Sequence, residues 1–177
     1  MRDPLGNSNF GATMGYDRAA FKEHLDEAAT ADLSYYEFDS LWKAFNVYYA
    51  SLHRADDPSH VDEIDLIQRA IQSIPADKRA SILSQTLTTR FRRIEPIADA
   101  QMWTRFDRRM TGRHMKARRA LDEVWAGAPA EAKHLEAVAD VLYLVRCNMA
   151  HGHKLRYRER DTQVFEATLP ILRALVA

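Results

Sequence analysis

The chain has 177 residues, 46% apolar and 28% charged, with 25 basic side chains balancing 25 acidic ones, which suits one ordinary globular domain and excludes wholesale disorder. Six glycines and six prolines are too few for collagen or a turn-dense all-β fold, and a single cysteine excludes a disulfide scaffold or an all-cysteine zinc site and suits the reducing cytoplasm. No apolar run approaches the roughly 20 residues of a membrane span, and the opening segment lacks the apolar core of a secretory signal.

Residues 1–15 carry Gly6, Gly11 and Gly15 with Asn7, Ser8 and Asn9 and read as a flexible arm; residues 16–177 read as a single domain. Helical periodicity follows almost throughout, with no useful strand alternation. Ser34 with Glu37 forms a capping-box pattern before the stripe Phe38, Leu41, Phe45, Tyr48 and Leu52, spaced as one buried helix face and ended by Asp56-Asp57-Pro58. A helix near 59–74 follows, with Val61, Ile64, Leu66, Ile67 and Ile71 apolar, closed by Pro75. Helices near 76–93 and 98–110 are split at Pro96, and Gly112 separates a helix near 113–126 that stops at Gly127. Pro129 is placed to open a long helix to about Ala150, with Leu135, Val138, Leu142, Val145 and Met149 inward and Gly152 as its stop. Asp161 reads as the cap of a last helix through Val164, Phe165, Leu169, Leu172 and Leu175, which Pro170 should kink or divide. The expected fold is an all-α, up-and-down bundle of five to seven helices.

The zero net charge hides a segregation. From Asp17 to Asp65 there are 12 acids against 4 bases, and from Arg90 to Arg119 there are 10 bases against 3 acids. A second basic cluster holds Lys154, Arg156, Arg158 and Arg160. Such asymmetry points to a polyanionic partner; the competing reading is a solvated face balanced by acids elsewhere in the fold.

The run Leu144–Lys154 carries the candidate chemistry, because Arg146, Asn148 and His151 end an otherwise apolar helix. Five residues turn a straight helix by a net of about 140°, so Arg146 and His151 share a face only if the helix breaks near Gly152. Otherwise they serve two halves of a site shared between chains. A helix C-terminus favours a protonated histidine, which suits proton transfer near neutral pH. The bland alternative is a histidine that only caps the helix and an arginine paired with an acid.

Arg146-Cys-Asn-Met-Ala-His151-Gly152 resembles the Arg-x4-His-Gly signature of the HEPN superfamily (higher eukaryotes and prokaryotes nucleotide-binding domain). Leu41-Trp-Lys-Ala-Phe-Asn-Val-Tyr-Tyr49 is similar to the Trp-x-x-Phe-Asn-x-x-Tyr helix of many such proteins. The resemblance implies an all-α homodimer whose motifs face one another across a cleft. It further implies a metal-independent, cofactor-free endoribonuclease, the toxin of a toxin–antitoxin or antiviral system with an antitoxin partner. Other members are silent modules that bind RNA, nucleotide or protein, and that reading stays open. Cys147 stands where the family often has Asn, Asp or another polar residue. His153 stands where one subgroup has a tyrosine that its antitoxin adenylylates, so that regulation is not carried over.

On this reading two copies of His151 act as base and acid, Arg146 offers its planar fork to phosphate, and Asn148 or Asn46 orients phosphate or sugar. Arg108, Arg109, Arg113, Lys154 and Arg156 are the expected RNA-binding residues, and Trp42, Asn46, Tyr49 and His53 form either an aromatic wall for bases or a half-buried flank. His151-x-His153 lacks companion ligands for a metal site, Cys147 lacks a base oriented to activate it, and there is no phosphate-binding glycine loop.

Overall fold

Asp17 opens the first helix through its carboxylate, which accepts from the backbone N–H groups of Ala19 and Ala20, both at 3.0 Å. Those bonds satisfy two of the donors that every helix start leaves bare. The computed structural model describes residues 17–52, 62–93, 111–150 and 159–177. The described residues form α1 (Arg18–Thr30), α2 (Ser34–Ala50), α3 (Glu63–Ser73), α4 (Ala76–Ser84), a 3-10 turn (Gln85–Leu87), α5 (Thr89–Arg92), α6 (Thr111–Trp125), α7 (Ala132–Ala150) and α8 (Glu159–Val176). There is no strand among the described residues, so the chain is all-α. The described helices number eight rather than five to seven: α1 is not among the expected helices, and the expected helix 76–93 is broken. Thr86 is buried and turns its hydroxyl onto the Leu83 carbonyl, while its own carbonyl accepts from the Trp125 indole at 3.0 Å. Thr88 then takes an extended backbone and caps α5 through Phe91 N–H. Short hydroxyl side chains that bond the backbone compete with helix propagation.

α2 lies against α1, α3 and α8, and α7 lies against α3, α4 and α6. Phe38, Leu41 and Phe45 are buried as the spacing requires, while Tyr48 and Leu52 sit at the rim. The ring of Phe38 meets Phe165 of α8 at 5.5 Å, and Trp42 meets Tyr143 of α7 at 6.2 Å. The expected inward sets of α7 and α8 are all buried. Burial runs almost all the way round the middle of α7, the pattern of a central helix.

Several boundary expectations are corrected. Leu33, not Ser34, precedes the first turn of α2, and no side chain caps it. Glu37 is taken instead by Arg173 of α8, which donates Nε and Nη2 to its two oxygens at 2.6 and 2.8 Å. α2 ends at Ala50, well before Asp56, where Ser51 Oγ donates to the Tyr48 carbonyl. Gly112 lies inside the first turn of α6, not before it. The predicted stop at Gly127 holds: at φ +92° its N–H reaches the Val124 carbonyl while Ala128 N–H reaches Glu123, a pair of bonds that caps the helix. Pro129 precedes α7 by three residues; buried His134 starts it, accepting from Glu131 N–H through Nδ1 and bonding Glu123 of α6 through Nε2.

α8 begins at Glu159, so Asp161 is a buried first-turn residue and not its cap. The helix also runs unbroken through Pro170. That proline is exposed, and so is Glu166, whose carbonyl loses its usual donor on the solvent-facing side of the helix. The 1–15 arm, the 98–110 helix and the Gly152 stop lie outside the described residues.

Candidate active site

Tyr143, Arg146 and Cys147 occur at i, i+3 and i+4 on α7, so they share one face near its C-terminal end. These three side chains are partly exposed, whereas Leu142, Val145 and Met149 turn into the core. α2 and α3 furnish polar groups to the same region. Tyr49, only 1% exposed, donates its hydroxyl to Glu63 Oε1 at 2.5 Å. Asn46 Nδ2 in turn donates to the Tyr49 oxygen at 2.5 Å. The Trp42 ring lies between the tyrosines, 6.4 Å from Tyr49 and 6.2 Å from Tyr143. Its indole Nε1 is buried without a hydrogen-bond partner among the described residues.

The electrostatics of the cluster are coherent. Burial, and then the bond to Glu63, raise Tyr49 above the usual phenol range, so it remains a donor. Burial raises Tyr143 as well, helped by Cys147 and Glu63. Burial pushes the Cys147 thiol up, and the pull of Tyr143 and Arg146 does not overcome it. A thiol raised in this way is a poor nucleophile at neutral pH. Burial works against the Arg146 charge, but the groups around it, the Glu63 carboxylate first, outweigh it and hold the guanidinium more firmly protonated than usual. The cluster therefore presents a fixed cation backed by a carboxylate and two neutral hydroxyls.

Of the expected site residues, the structure brings Arg146 and Asn46 to this region. Asn148, one position past Cys147, is 2% exposed and turned into the protein. His151, Arg108, Arg109, Lys154, Arg156 and His53 lie outside the described residues. The aromatic wall is not available for base stacking, because Trp42 and Tyr49 are core side chains. Asn46 is half-buried and bonds Tyr49. Arg113 pairs with Asp140 at 3.2 Å, and Arg118 pairs with Asp122 one turn along α6. Part of the basic run is thus balanced locally.

Glu63 and Tyr143 are not among the expected site residues. The signal was present in both: Glu63 precedes Ile67, Ala70 and Ile74 on a stripe of steps 4, 3 and 4, an acid in register with a buried face. Tyr143 stands three residues before Arg146 on the same face.

No known family, curated protein or solved structure matches the chain. The chemistry therefore rests on the groups themselves. A guanidinium with a fixed charge stabilises a phosphate or another oxyanion through paired N–H donors. The hydroxyls, held protonated, donate and do not act as bases.

Proposed function

We propose that the chain is a metal-independent endoribonuclease working as a homodimer, with Arg146 and His151 of both chains around one cleft. The observation that carries the reading is Arg146 itself: a partly exposed guanidinium near the end of α7, held charged, five residues before the only histidine–glycine step of the chain. One His151 takes the proton of a ribose 2′-OH, whose oxygen attacks the adjacent phosphorus. The P–O5′ bond breaks, and the His151 of the other chain protonates the departing oxygen. Arg146 meets the charge that grows on the non-bridging oxygens. The products are a 2′,3′-cyclic phosphate and a 5′-OH.

The burial pattern limits how such a dimer forms. Residues 139–142, 144, 145, 148 and 149 are already buried within one chain. The partner must meet the Tyr143–Arg146–Cys147 face and the exposed Ala150 rather than the length of α7. A toxin role with an antitoxin partner is part of this proposal through the sequence resemblance alone.

One observation favours a second reading, a silent module that binds RNA or protein. The charge of Glu63 already acts on the guanidinium, so part of its field is spent within the chain. An assay on labelled RNA with excess EDTA decides between them, comparing wild type with His151→Ala. Cleavage by wild type only, ending in cyclic phosphate, is expected. Equal cleavage by both defeats the assignment, and RNA bound but uncut by either selects the silent module.

A further inference from the structure

Resting on the reading of Arg146 as the phosphate-binding cation, we propose that Glu63 is its positioning residue, with Tyr49 and Asn46 as the chain of donors that fixes the carboxylate. α3 touches both α2 and α7, so its first residue, Glu63, stands where these three helices meet. A lone glutamate there would have many rotamers. Tyr49 removes that freedom by donating to Oε1, and Asn46 fixes the tyrosine from behind. Tyr49 is itself immobilised in an aromatic cluster, 5.2 Å from Phe45 and 6.4 Å from Trp42. The order therefore passes from a rigid core ring to a hydroxyl, then to a carboxylate.

On α7 the charge of that carboxylate acts on Tyr143, Arg146 and Cys147, the three side chains of one face. The charge of Glu63 favours the Arg146 guanidinium, yet among the described residues no ion pair within 4.0 Å joins the two, so the guanidinium is attracted without being captured. That arrangement suits a cation that must offer its fork to a phosphate and still return to one orientation. A captured arginine would lose its fork, and an arginine without an acid nearby would lose its orientation. Full pairing is thus avoided while the field remains. Groups standing behind a binding side chain commonly work in this way, holding it in the orientation that its ligand needs.

Glu63→Gln tests the idea, because the amide keeps an acceptor for Tyr49 and removes only the charge. RNA cleavage is measured for wild type, Glu63→Gln, Arg146→Ala and the double variant, with binding of a non-cleavable 2′-O-methyl RNA by fluorescence anisotropy in parallel. Glu63→Gln is expected to lower kcat while KM stays level or falls, since an acid that repels phosphate has gone. In the Arg146→Ala background the same substitution is expected to do nothing, a departure from additivity of about fivefold or more in kcat/KM or in affinity. Glu63→Asp should recover part of the loss, and Tyr49→Phe should reproduce it in weaker form with the fold intact by circular dichroism. Additive effects, or a loss confined to melting temperature, overturn the proposal while leaving the ribonuclease reading standing. Coupling in RNA binding with no cleavage by wild type does the reverse: it keeps Glu63 as the positioning residue and removes the nuclease.

Discussion

Arg113 of α6 reaches Asp140 of α7 at 3.2 Å, a partly buried ion pair that ties the end of the basic run to the central helix. Burial raises the Asp140 carboxyl to about 6, against the opposing pull of Arg113; Glu136 adds to the rise and Lys116 reduces it. The folded chain therefore holds this proton more tightly than the unfolded chain, whose value is near 3.8. The resulting stability is fully present below the unfolded value and is lost as pH rises from there to about 6.

The first prediction follows from that sign. Urea midpoints of wild type and Asp140→Asn, measured from pH 4 to pH 7, should diverge with rising pH, the variant gaining on wild type by up to about 3 kcal/mol. A difference that stays flat across the window would disprove the burial account. Arg113→Gln should push the carboxyl higher still and lower stability at pH 7, because it strands a buried charge.

That pairing also changes how the basic surface is tested. Removing Arg113 would damage the packing of α6 on α7, so weaker RNA binding by its variant would be ambiguous. Arg108→Gln with Arg109→Gln is the cleaner pair. Affinity for single-stranded RNA should fall alike for all sequences, and the slope of log affinity against log salt should shrink by about 0.7 for each phosphate that the variant no longer neutralises. Affinity and slope unchanged in the double variant would take these two arginines off the RNA path.

Assembly offers a third test. Light scattering at micromolar concentration should give the mass of a two-fold dimer, since a single Arg146–His151 set leaves either the base or the acid missing. Ala150→Glu places a charge at the exposed end of α7. It should yield monomers that melt like wild type and cleave no RNA. Wild-type monomers, or dimers untouched by this substitution, would argue against a shared site.

The helix faces were legible because burial has a period, and the same inward residues of α7 and α8 appear in both sequence and structure. The helix ends were less legible, since they were decided by tertiary partners. Glu37 looks like half of a capping box until Arg173, 136 positions away, takes both its oxygens. His134 starts α7 because Glu123 of the preceding helix holds its other nitrogen. Within the candidate site, Arg146 stood out as a cation ending an apolar run, whereas Glu63 did not. Its register with a buried face marks it as an acid close to the core, but its meaning lies in the donor from Tyr49, 14 positions away on another helix.

The last prediction separates charge from geometry at Arg146. Arg146→Ala removes both, and cleavage should fall on the order of 10²–10³-fold, the usual cost of one donor to a transition-state oxyanion. Arg146→Lys restores the charge but not the planar fork, so recovery should be partial, appearing in KM before kcat. The ground-state phosphate needs only a nearby cation, whereas the pentacoordinate phosphorus needs two N–H groups at a fixed spacing. Glu63 should sharpen the contrast. A lysine ammonium is compact and flexible, so in the lysine variant the carboxylate draws it into a direct pair and away from phosphate. Glu63→Gln should then improve Arg146→Lys while harming the wild type, a reversal of sign in kcat/KM measured by single-turnover cleavage. A lysine variant as active as wild type would show that the site requires only positive charge, and the bidentate role of Arg146 would fall.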